Sequence, residues 1–142
     1  MMGAALDYRV ILYHKHPASA RTRFLLFSYE SVCFPSAIPV LAQLSEVQED
    51  NTVLHPAAVL NQVERELGID PGLLVAEPGY QHIVDVPGED IHIILARIDS
   101  IDPPFETVGK QGGVFIDLTQ ARNLPQVELE LLRFAYELVL GG

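Results

Sequence analysis

The hydrophobic pattern of this chain switches between two periods, and each switch marks an element. Tyr8 to Tyr13 (Tyr-Arg-Val-Ile-Leu-Tyr) is rich in β-branched and aromatic residues and predicts a strand. His14 to Thr22 is a polar loop with Pro17 and Ser19, and Arg23 to Tyr29 predicts a partner strand for a hairpin. Residues 31–44 place Pro35 and Pro39 among apolar neighbours. Each proline removes a ladder donor, so this stretch is expected as edge strand or extended connection. Leu44 to Thr52 carries Glu46, Glu49 and Asp50 and is expected as an acidic surface loop.

The period then lengthens. His55 to Asp70 reads as a helix with both ends marked. Pro56 suits the first helical position, where a missing N–H is harmless. Gly68 suits the left-handed position past the end, and Asp70-Pro71 blocks continuation. Val59, Leu60, Val63 and Leu67 fall within about 100° of arc, which makes one face core and leaves the other open. After it, Leu73 to Ala76 predicts a short strand. Tyr80 to Val86 and Ile91 to Ile98, joined by Pro87-Gly88-Glu89-Asp90, predict a long hairpin. A loop runs from Asp102 through Gly113, Val114 to Ile116 is a short strand, and Asp117-Leu118-Thr119 begins a turn. From Pro125 to Leu140 the helical period returns. Val127, Leu131, Phe134, Ala135 and Leu138 form its expected core stripe, with Leu129, Tyr136 and Leu140 on the far side. A helix apolar on two faces suggests a covered surface, here a homodimer through the C-terminal helix. With no repeat or linker, residues 1–142 are expected to form a single α+β domain with a mixed or antiparallel sheet between helices.

Composition narrows the function. The chain has 49% hydrophobic and 20% charged residues, as ordinary globular proteins do. Its net charge is −10, with nine Lys and Arg in all. A nucleic-acid binder needs clustered cations to displace phosphate counterions, so nucleic acid is excluded as a partner, and so is an anionic membrane surface. No apolar run reaches the length of about 18 residues that a membrane span needs, and Met1 to Asp7 lacks the basic and apolar regions of a signal peptide. A soluble, reducing, cytoplasmic setting is expected. Cys33, the only cysteine, sits between Val32 and Phe34 and is expected as an inert buried thiol. His14 and His16 share one side of an extended segment, and His82 and His92 fall on the two strands of the long hairpin. Neither pair has the further ligands a metal site needs. Solvated strand-end residues are expected for the first pair and hydrogen-bonded structural residues for the second. Gly109-Lys110-Gln111-Gly112-Gly113 lacks the Gly-Lys-Ser/Thr ending and following helix of a phosphate loop and is expected as a hairpin loop.

The second hairpin strand Ile91-His-Ile-Ile-Leu-Ala-Arg-Ile98, the strand Gly113-Val-Phe-Ile-Asp117, the turn Leu118-Thr-Gln-Ala-Arg122, Leu124-Pro125 and the final helix follow a familiar order. From Tyr8 to Leu140, this order resembles the Nudix superfamily. The resemblance implies a mixed sheet packed between helices, an α/β/α sandwich. The Nudix box is Gly, five residues, Glu, seven residues, then Arg-Glu-hydrophobic-any-Glu-Glu-any-Gly-hydrophobic. Anchored on Gly68-Ile69, its Arg falls on Asn61, its next Glu on Gln62 and its hydrophobic position on Val63. The paired glutamates fall on Arg65 and Glu66, and the leading Gly and Glu on Val47 and Val53. In the family the box glutamates hold a divalent cation against a pyrophosphate. Here one carboxylate, Glu66, keeps its place beside a cation.

The resemblance therefore implies a Nudix-like domain with an eroded catalytic box. It is read as a non-hydrolytic or weakly active module binding a nucleotide-like ligand or a protein, with Gln62, Arg65 and Glu66 as ligand residues. No cofactor is then required, although Mg²⁺ on Glu66 is possible, since Mg²⁺ commonly takes one or two carboxylates plus substrate phosphates. The alternative is an active Mg²⁺- or Mn²⁺-dependent pyrophosphohydrolase on a nucleoside diphosphate-linked substrate, using relocated carboxylates. Its catalytic candidates are Glu66 and Glu106, with Glu64 and Glu77 as further carboxylates expected on the exposed surface. A third reading is a purely structural or oligomerisation domain.

Overall fold

A computed structural model describes residues 7–39, 41–45, 56–87 and 89–141. In chain order the elements are β1 (Asp7–Lys15), β2 (Thr22–Leu26), β3 (Cys33–Phe34), β4 (Gln43–Leu44), α1 (Pro56–Leu67), β5 (Leu74–Ala76), β6 (His82–Val86), β7 (Glu89–Ile98), α2 (Phe105–Gly109), β8 (Val114–Ile116) and α3 (Gln126–Gly141). A 3-10 turn at Leu118–Ala121 joins β8 to α3. The protein is α+β, with an eight-stranded mixed sheet and three helices.

The two longest strands, β1 and β7, run parallel at the centre, from Asp7 opposite Ile91 to Tyr13 opposite Arg97. Both read as nearly unbroken apolar runs, as strands covered on both faces do. The outer side of β1 is shared by two antiparallel strands, β3 along Val10–Ile11 and β2 along Tyr13–Lys15. The outer side of β7 is likewise shared by β6 along Glu89–Ile93 and β5 along Ala96–Ile98. Beyond these lie β4 on β6 and β8 on β2, the two ends of the sheet.

Alternation along the central pair feeds two cores. Ile11 and Tyr13 of β1 join Ile91, Ile93 and Leu95 of β7 in the first, which takes Val127, Leu131, Leu132 and Ala135 from α3. Val10 and Leu12 join Ile94, Ala96 and Ile98 in the second, which takes Leu60, Val63 and Leu67 from α1. Each large aliphatic side chain moved fully out of water contributes about 1.5–3 kcal/mol, so both helices are held chiefly by these stripes.

The predicted hairpins, the short strands at Leu74–Ala76 and Val114–Ile116 and both long helices are present. The proline-bearing stretch supplies only two-residue strands, one of them at a sheet end. Gly68 takes φ +75°, and Ile69 N donates to Glu64 O at 2.9 Å, closing the end of α1 as the glycine signal implied. The acidic run at Glu46, Glu49 and Asp50, the box positions Val47 and Val53, His55 and Gly88 lie outside the described residues.

Several expectations need correction. The loop from Asp102 to Gly113 contains α2. Phe134 is not core: it is half-exposed and stacks on His82 at the sheet margin, with ring centroids 4.6 Å apart. Leu129 and Tyr136 of the supposed far side pack against the first core, so the apolar surface of α3 is one broad face with Leu140 left exposed. His14 is no solvated strand end. It is buried, and its Nε2 lies 2.8 Å from Ser100 O. His82 stands opposite Ile93, and His92 opposite Ile83. One residue of offset sends two side chains to opposite faces, so His82 and His92 cannot share a ligand across the hairpin. Among the described residues, no helix is long and apolar enough to cross a membrane.

Candidate functional site

The outer face of α1 is the place to begin, because the stripe on its other side fixes its rotation. With Leu60, Val63 and Leu67 buried, Asn61, Gln62, Arg65 and Glu66 are all exposed. Gln62, Arg65 and Glu66 stand three and four residues apart and so form one neighbourhood on the helix surface. The structure thus brings the three expected ligand residues together on open surface, with a single carboxylate, Glu66.

Glu64 does the opposite of what was expected. It is buried, 2% exposed, and its Oε2 accepts from Gly72 N at 2.9 Å and Leu74 N at 3.0 Å. The carboxylate clamps the turn after α1 to the helix and satisfies backbone donors that β5 leaves unpaired. The pattern Leu60, Val63, Glu64, Leu67 is the i, i+3, i+4, i+7 stripe, so an inward Glu64 was legible from helical period alone. Its polarity concealed it.

The second catalytic candidate, Glu106, is exposed on α2. That helix sits against the end of α1. Gln111 Nε2 donates to Glu66 O at 3.0 Å, and a Cβ on Gly68 would meet Thr107 Cγ2 at 3.7 Å. The turn after α2 also packs tightly on the turn that follows β2: Gly112 has φ +80°, and a Cβ there would lie 2.9 Å from Ser28 Cβ. The elements bearing Glu66 and Glu106 are therefore neighbours. Among the described residues, no group of three or more His, Cys, Asp or Glu lies close enough to hold a metal ion.

Glu77 is half-buried at the C-terminal end of the central strands. It accepts from Tyr13 Oη at 2.9 Å and pairs with Arg97 Nε at 3.9 Å. Burial, reinforced by Glu77, pushes the Tyr13 phenol well above its ordinary range. Beside it lies a cleft of about 330 Å³ lined by Lys15, Pro17, Arg97, Asp99 and Ile101. Its two cations already have partners. Lys15 Nζ donates to Val139 O at 3.2 Å in the last turn of α3, and Arg97 Nη1 donates to Asp99 Oδ1 at 3.2 Å.

Two further carboxylates are structural. Glu128 on α3 is fully buried and accepts from Ser31 Oγ at 2.8 Å and Val32 N at 3.1 Å, fastening the loop that leads into β3. Burial raises its pKa, against the lowering effect of those hydrogen bonds. Asp117 receives Arg21 Nε at 3.3 Å and Nη2 at 3.1 Å, and this pairing holds its carboxyl below the ordinary range. Cys33 is buried, and burial pushes its thiol far from nucleophilic range, as expected of a packing residue.

Neither a scan against protein-family models nor a search of curated proteins gives a match for this chain.

Proposed function

We propose that this protein is a Nudix-like α/β/α domain whose box-equivalent helix serves binding rather than efficient hydrolysis, with a nucleotide-like ligand as the favoured guest. One observation carries the reading. Of the two glutamates in the last turn of α1, Glu64 is committed to the backbone of the following turn, and Glu66 alone faces outward, beside Arg65 and Gln62. A guanidinium and an amide on one open helix face suit a phosphate, since Arg presents fixed donors and a permanent charge. A pyrophosphohydrolase needs more, because metal must both activate water and offset charge on the leaving phosphate. One carboxylate next to an arginine holds Mg²⁺ weakly.

The test pairs binding with turnover. ADP-ribose, nucleoside triphosphates and dinucleotide polyphosphates are titrated against the intact chain by calorimetry. The same panel is then assayed for phosphate or nucleotide release with Mg²⁺ or Mn²⁺. The expected result is saturable binding that Arg65→Glu weakens by about tenfold, the loss of one favourable contact of about 1.4 kcal/mol, with little turnover. Metal-dependent turnover that collapses in Glu66→Gln overturns the reading in favour of an active enzyme.

That second reading has an observation of its own, the docking of α2 against the end of α1, which makes neighbours of the helices bearing Glu66 and Glu106. Under it, Glu106→Gln also abolishes turnover. Phe134 and Leu140, exposed on α3, keep homodimerisation as a companion proposal, and a monomer at micromolar concentration by light scattering removes it.

A further inference from the structure

The sheet ends at β8, and no described strand pairs with its outer side. Natural edges are usually blunted by short length, charge, proline or a bulge, and β8 has only the first of these, at three residues. Val114, Phe115 and Ile116 carry neither charge nor proline, and Val114 is 52% exposed. On the α1 side of this edge Phe115 meets Phe105 edge-to-face, with centroids 5.6 Å apart. Phe105 is itself 52% exposed, and the Arg23 guanidinium carbon lies 5.5 Å from its ring centroid. Among the described residues no carboxylate lies within ion-pair distance of Arg23, although Asp117, held by Arg21, is near enough to feel its charge.

Charge singles out this edge. Residues 21–27 and 105–122, which build it, hold four of the nine Lys and Arg (Arg21, Arg23, Lys110, Arg122) but only two of the nineteen Asp and Glu (Glu106 and Asp117). Of those two, Asp117 is already paired with Arg21. In a chain of net charge −10, this is a locally cationic, apolar and open edge.

We propose that β8 accepts an extended acidic segment of a partner protein as an added strand. Main-chain hydrogen bonds to the free edge supply affinity, and the two faces supply selection. Alternate residues of the guest lie over Phe105 and Phe115, with a carboxylate reaching Arg23, while the intervening ones lie over Val114. Charge complementarity favours such a guest over a second copy, because pairing β8 with itself brings two cationic edges together.

The test uses the full chain and a fluorescein-labelled peptide in which Glu alternates with Val, with a Lys-for-Glu counterpart as control. Fluorescence anisotropy is expected to show binding of the acidic peptide that weakens as salt rises, and no binding of the basic one. Arg23→Glu on the neighbouring strand and Val114→Glu on the edge itself are each expected to reduce affinity about tenfold or more, about 1.4 kcal/mol. Arg133→Glu on α3 is expected to leave it within about twofold, as a surface change away from the contact does. Amide shifts on binding should cluster at residues 114–116. Absence of binding, equal binding of the basic peptide, or equal sensitivity to Arg133→Glu overturns the proposal. So does a dimer in sedimentation that Val114→Lys dissociates, which assigns the edge to a second copy.

Discussion

Glu128 is a carboxylate the fold holds at an unfavourable depth, and its titration carries a definite sign. Its native pKa is raised by burial, so the native state binds this proton more tightly than the unfolded chain does. Its contribution to stability is therefore fully present at acid pH and declines as the pH climbs from the ordinary carboxylate range through the raised value. Urea unfolding of the wild type and Glu128→Gln across that range should show the stability difference moving steadily in favour of the glutamine variant with rising pH. A pH-independent difference contradicts this account of Glu128. Two glycines make a sharper comparison. Gly68 and Gly112 both have positive φ, but a Cβ at Gly68 meets only an ordinary contact, whereas one at Gly112 presses on Ser28. Gly68→Ala should therefore lose about 1–2 kcal/mol from backbone strain alone. Gly112→Ala should lose a further ~1–3 kcal/mol from overpacking, both read from chemical denaturation.

At the scale of elements, α1 depends on a side chain as much as on its stripe. Glu64 ties the turn at Gly72 and the start of β5 back to the helix. Glu64→Ala leaves the buried Leu74 amide without its acceptor, a loss of about 1–3 kcal/mol. Faster amide exchange should appear first at residues 72–76. If exchange there is unchanged while the global stability falls, the clamp is not the cause. This is also where the sequence was most and least informative. The stripe of α1, that of α3 apart from Phe134, the glycine stop at Gly68 and the long hairpin follow from period and turn chemistry, and these are present. The outward Gln62, Arg65 and Glu66 follow from the same rotation. Glu64 and Glu128 occupy stripe positions, yet a charged residue in a stripe reads as surface until its partners are known; those of Glu64 are amides of the turn that follows the helix, and those of Glu128 are a hydroxyl and an amide nearly a hundred residues away. The five-residue α2 was hidden by Pro103-Pro104 before it, Gly109 at its end and Gly112 and Gly113 after it. Phe134 has the right helical phase for the core but lies where the sheet ends, and helical phase carries no information about sheet width.

For the whole molecule, what stayed illegible is which strands meet. Nothing local to Tyr8–Tyr13 or Ile91–Ile98 states that they run side by side in parallel, because parallel pairing leaves no turn signal between its members. The net charge of −10 belongs to this scale too. It supports solubility through repulsion between copies and makes the cationic edge at β8 conspicuous to an acidic partner.

That central pairing has a consequence for how the chain is made. β1 leaves the ribosome well before its neighbour across seven paired positions, from Asp7–Ile91 to Tyr13–Arg97, which is synthesised some eighty residues later. Until then its apolar run can only form the provisional hairpin with β2 and the short contact with β3. A contact of such sequence separation makes folding slow relative to helical proteins of this size. It also leaves Val10, Ile11 and Leu12 exposed to other chains during that interval. That interval is therefore aggregation-prone, and a holdase that shields Asp7–Lys15 until β7 arrives should raise the yield of folded protein.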